Sequence, residues 1–92
     1  MYALAIIRYR KPLEEVVVHQ DAHRAYLRGP KEKGLLLASG PMDPRFGGLL
    51  LLRIADGDTK ALDSVRDNDP FFTSGVAQYE LVDDQAYDAL DS

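Results

Sequence analysis

Both histidines of the chain fall within "HQDAHRAYL", residues 19–27, four positions apart with Asp21 between them. On a helix, His19 and His23 would share one face and could reach one ion together. The zinc-protease pattern, however, requires Glu directly after the first histidine, and Gln20 stands there. The chain has no cysteine to complete a ligand set. No metal and no cofactor is therefore expected. The residues alone leave two readings open: one imidazole acting as acid or base, or ordinary structural and surface histidines.

Asp69 in "DNDPFF", residues 67–72, is one carboxylate with a defined direction, because a residue before proline is biased out of helical geometry. The same dipeptide is also ordinary turn chemistry at a helix end. "DGDT" (56–59) resembles the start of a calcium loop but lacks the later ligands, and reads as a turn and cap. The glycines at 47–48 precede a strand instead of joining strand to helix, which is the wrong geometry for cradling phosphate. Ser39 precedes a Gly-Pro turn at a strand end, where it can line a pocket or lie buried.

These side chains need elements to position them. "YALAIIRY" (2–9) reads as a strand closed by Pro12. "LEEVVV" (13–18) is open to helix or extended chain. From about residue 19 the period is helical, with Ala22, Tyr26 and Leu27 on one stripe. Gly29-Pro30 predicts a kink there, and Gly34 a stop at positive φ. "LLLAS" (35–39) suggests a strand buried on both faces. "GPMDPRFGG" (40–48) is a loop, and "LLLLRIA" (49–55) the next strand. Asp58 or Thr59 caps a helix that Pro70 ends. "FFTSG" connects it to a last strand, "VAQYELV" (76–82). The order is β-α-β-β-α-β, an α+β split βαβ or ferredoxin-like fold: a four-stranded antiparallel sheet with helices on one face. Its leucine-rich strands are too apolar for a solvated outer face. A homodimer packed sheet to sheet, with a pocket between the sheets, is the economical solution.

Ninety-two residues make one small domain, read as 1–82 with an acidic tail over 83–92. The apolar run before Arg8 is too short for a signal peptide or a membrane span. Together with the lack of cysteine, this predicts a cytoplasmic protein. A net charge of −4 argues against nucleic acid. Residues 1–33 nonetheless carry seven Lys/Arg against four Asp/Glu, which leaves room for a locally positive pocket suited to a small anion.

"RKPLEEV" (10–16), "AHRAYL" (22–27), "GLLLASGP" (34–41), the Gly-Gly before the third strand and "DPFFTSGVAQYEL" (69–81) occur in an order that resembles the YciI-like (YCII-related) domain family. The match runs from residue 2 to about 82. The resemblance implies ferredoxin-like dimers of the dimeric α+β barrel group. It also implies a site in which a helix-1 histidine, here His23, meets the aspartate of the "DPF" motif, here Asp69. An aspartate bonded to one ring nitrogen fixes the tautomer and leaves the other nitrogen to move a substrate proton. The related group includes muconolactone-isomerase-like folds and a dehydrochlorinase of a chlorinated hydroxyquinol. That implies isomerisation or elimination on a small, cyclic, oxygenated ligand, with Arg8 and Arg45 as candidates for anchoring its anionic group. The alternative is a non-catalytic dimer that binds a small ligand in the same pocket.

Overall fold

The computed structural model describes residues 1–84. Its elements are β1 (Tyr2–Tyr9), α1 (Leu13–Val18), α2 (Gln20–Glu32), β2 (Leu36–Pro41), β3 (Gly47–Arg53), α3 (Thr59–Asp67), α4 (Pro70–Thr73) and β4 (Ala77–Asp83). The strands form one antiparallel sheet in the order β2-β3-β1-β4. This is the ferredoxin-like arrangement expected from the sequence. Most of the acidic tail, residues 85–92, lies outside the described residues. Among the described residues, no helix is long and apolar enough to cross a membrane.

Period-2 alternation in β1 decides which face the helices cover. Ala3, Ala5 and Ile7 are buried beneath them, opposite Leu52, Leu50 and Gly48 of β3, while Arg8 points to the other face. Val16, Leu27, Leu62, Val65 and Phe71 supply the helical half of the core. Full burial of a side chain of the size of Leu50 or Ile7 stabilises by roughly 1.5–3 kcal/mol. Gly47 is required by close approach: a Cβ there would lie 1.9 Å from the Ile7 carbonyl oxygen and push β3 off β1.

Three local expectations are corrected. Pro30 does not interrupt the helix, since α2 runs through it to Glu32. Proline disfavours helical geometry in its predecessor partly through that residue's Cβ, and Gly29 has none. The stop comes at Gly34, with φ 76°, as its position predicts. Pro70 does not terminate the preceding helix; α3 ends at Asp67, and Pro70 is the first residue of α4. A proline suits a first helical position because its missing N–H would have no intrahelical partner there. Finally, β2 is not buried on both faces: it is an edge strand in which only Leu36 is buried.

The outer face of the sheet stays apolar. Leu37, Leu49 and Leu51 are 45%, 43% and 37% exposed, and Leu4, Ile6 and Val82 are half-buried beside them.

Candidate active site

His23 and Leu27 lie one turn apart on α2, so the histidine shares the helix face that turns toward the sheet. Asp69 is the N-cap of α4, with extended φ −76° and ψ 126° imposed by the following proline. Its Oδ1 accepts from the Phe71 backbone N–H at 3.0 Å, closing the cap. The two elements bring together side chains 46 residues apart: His23 Nδ1 donates to Asp69 Oδ1 at 2.7 Å and lies 2.9 Å from Oδ2.

The tripeptide Asp69-Pro70-Phe71 therefore serves the site three times. Asp69 holds the imidazole, Pro70 fixes the direction of the carboxylate, and the Phe71 ring stacks on His23 with centroids 4.0 Å apart and planes 5° from parallel. Stacking sets the ring plane and the hydrogen bond sets its rotation, so one orientation of the imidazole is selected. A carboxylate that accepts from Nδ1 leaves Nε2, in the neutral imidazole, as the nitrogen able to take a proton.

Asp69 is fully buried (0% exposed). An uncompensated buried carboxylate is costly, but this one is supplied with donors on both oxygens. Besides His23 Nδ1 and the Phe71 N–H, the Tyr79 hydroxyl donates to Oδ2. Burial, with the negative charge of Asp69 and that hydrogen bond adding to it, pushes the Tyr79 phenol far above its ordinary range. Tyr26 is raised too, by burial and then by Asp69, while its hydroxyl donates to the Val65 carbonyl at 2.9 Å.

A cavity of about 280 Å³ lies against the His23 side of this network, and Asp69 itself does not line it. Ile7, Leu27, Leu50 and Phe71 give it apolar walls; Gln20, Arg24, Arg45 and Ser39 bring polar groups. It lies between α2 and the inner face of the sheet within one chain. The helices leave a gap at the β2–β3 end of the sheet instead of sealing it, so this is a cavity of one chain, separate from any pocket between two packed sheets.

Ser39 reaches this cavity because of an irregularity in β2. Leu36 pairs with Leu52 and Ser39 with Leu50, both on the inner face, although they are three residues apart; the register shifts between Leu36 and Ala38. The extra residue re-aims Ser39 inward, a common use of a bulge beside a site. Arg45 also lines the cavity, where its Nη2 donates to Gln20 Oε1 and its Nε lies 3.5 Å from the Tyr9 hydroxyl. Arg8 is not brought to this site. With Ile7 and Tyr9 facing inward, strand alternation sends Arg8 to the outer face, where it pairs with Glu80 at 3.1 Å. His19 sits at the junction of α1 and α2 and does not line the cavity. Among the described residues, no three His, Asp or Glu side chains gather closely enough to hold one metal ion.

Sequence reasoning missed Gln20, Arg24, Tyr79 and the stacking role of Phe71. A signal existed for two of them: residues 20, 23, 24 and 27 have the i, i+3, i+4, i+7 spacing of one helix face. Tyr79 alternates with Gln78 and Glu80 in β4, so its direction follows once the inner face of that strand is known.

A structure search finds the same fold in 5-chloro-2-hydroxyhydroquinone dehydrochlorinase (TftG) from Burkholderia phenoliruptrix AC1100, solved in complex with 2,5-dihydroxybenzoquinone. The TM-score is 0.74 at 23% sequence identity, over 90% of this chain and 92% of that one. No curated protein matches the sequence. The model of the YCII-related domain matches residues 1–84, and the chain is a member of that family.

Proposed function

We propose that the protein is a small-molecule enzyme that moves a proton with His23 Nε2 on an oxygenated ring compound, in an isomerisation or an elimination of the dehydrochlorinase type. The observation that carries this reading is the buried carboxylate behind an imidazole that lines a cavity. Asp69 stabilises the imidazolium formed when Nε2 takes a proton, without facing the substrate itself. Arg45 and Ser39 are the candidate anchors for an enolate or carboxylate oxygen, with the apolar walls enclosing the ring. The complex of the similarly folded dehydrochlorinase with a dihydroxybenzoquinone supports this ligand class. A panel of lactones, hydroxyquinols and chlorinated hydroxyquinols, followed by absorbance, tests the reading. Turnover of at least one compound is expected; tight binding with no turnover across the panel would favour the ligand-binding alternative.

The active unit in this reading is a homodimer. Leu37, Leu49 and Leu51 on the outer face form an apolar surface beside half-buried Leu4, Ile6 and Val82, which a second copy could cover sheet to sheet. Sedimentation equilibrium is expected to give twice 10.3 kDa. A single-chain mass at micromolar concentration would contradict the dimer.

A further inference from the structure

Asp69 has two oxygens, and the neighbours of each differ. Oδ1 takes the Phe71 N–H at 3.0 Å and the shorter of the two approaches of His23 Nδ1, at 2.7 Å. Oδ2 takes the Tyr79 hydroxyl, with His23 Nδ1 at 2.9 Å. The hydroxyl comes from β4, an element that contributes nothing to the lining of the cavity. We propose that Tyr79 is a positioning residue of the proton-transfer site, holding the second oxygen of Asp69 so that the carboxylate cannot rotate and the shared proton stays on His23 Nδ1.

The assignment rests on the reading of His23 and Asp69 as the proton-transfer pair and extends it by one residue. Two physical effects support it. A carboxylate bonded at both oxygens keeps its plane, and that plane aims the imidazole. Each donor also withdraws electron density from the carboxylate, so Asp69 competes less well for the Nδ1 proton and Nε2 stays the free base. Because burial and the Asp69 charge push the Tyr79 phenol upward, it remains a donor throughout the range where an imidazole exchanges protons. Among the described residues, Tyr26 on α2 commits its hydroxyl to the Val65 carbonyl, and Gln20, Arg24, Ser39, Arg45 and Tyr9 line the cavity, which Asp69 does not.

The hydroxyl can be separated from its ring. Tyr79 packs edge-on against Phe72, with centroids 6.2 Å apart and planes at 85°, a contact that Tyr79→Phe keeps. Nitrogen-15 and proton NMR of the His23 imidazole reads the consequence. In Tyr79→Phe, the Nδ1-bound proton is expected to move further downfield, because Asp69 then draws on it alone. An unchanged resonance overturns the proposal. If Asp69→Asn shifts that resonance and Tyr79→Phe does not, the tyrosine assignment fails alone; if neither does, the pair fails as well. The wild-type protein provides a check that does not depend on the variant folding. The Tyr79 hydroxyl proton is expected as a slowly exchanging downfield signal, and its absence overturns the proposal.

Discussion

Asp69→Ala is expected to remove a large part of the stability of the domain. Three donors lose their acceptor at once: the Phe71 N–H, the Tyr79 hydroxyl and His23 Nδ1. A buried donor left unsatisfied costs roughly 1–3 kcal/mol, and loss of a helix cap about 1 kcal/mol. With the Phe71 N–H counted once, as the cap, the summed loss is roughly 3–7 kcal/mol, large against a native stability on the order of 5–15 kcal/mol. At this chain length each kcal/mol moves Tm by roughly 4–8 °C, so the melt should fall by well over 10 °C. Asp69→Asn should cost far less, about 1–2 kcal/mol, because the amide oxygen can still cap α4 and accept one further bond. Thermal and urea denaturation of the two variants checks the difference. Equal, small losses would show that the carboxylate does not hold this corner of the fold together.

The second large effect is on turnover. His23→Asn places an amide N–H near the position of Nδ1, so the bond to Asp69 can persist, while the base at Nε2 is removed. With a substrate from the panel above, kcat is expected to fall by about 10²–10⁴, the usual contribution of a positioned acid or base. KM should change by a few-fold at most, because the candidate anchors Arg45 and Ser39 are untouched. The variant should stay folded: the side chain is only 12% exposed but is replaced by a smaller one that keeps a donor. A kcat equal to that of the wild type would remove His23 from the chemistry, whatever it contributes to packing. A rise in KM with kcat unchanged would make it a ligand contact only.

The fold was legible because its signals are periodic. Alternation in β1 and the helical stripe ending at Leu27 survive any packing arrangement, and Gly34 marks the positive φ of a helix end because other residues are strained there. Proline was less informative, since its ring is compatible with opposite readings. Pro70 ends one helix as readily as it starts the next, and Pro30 was accommodated because Gly29 before it lacks a Cβ. The leucine run at residues 35–37 reported apolar character but not which neighbours were present, so an edge strand read as a central one.

The site was legible only in part. No spacing in the sequence carries the distance between His23 and Asp69; the order of motifs shared with a family brought them together. Arg8 lies apart from the His23 cavity, and its parity in β1 already assigned it to the outer face, where it pairs with Glu80. Ser39 shows the reverse, since the bulge that turns it inward has no signature in "LLLASGP". Tyr79 lay beyond reach because its value comes from a carboxylate ten residues earlier that only the packing of α4 on β4 brings near.

The account depends most on which nitrogen of His23 carries the proton. A long-range nitrogen-15–proton correlation spectrum of both imidazoles above pH 7 reads this directly. The account predicts a single Nδ1–H tautomer for His23, reverting toward the Nε2–H form in Asp69→Asn, while His19 shows the ordinary Nε2–H preference in both proteins. An Nε2–H tautomer at His23 in the wild-type protein would contradict the account, because the nitrogen assigned to the substrate would then hold its own proton and could not take another.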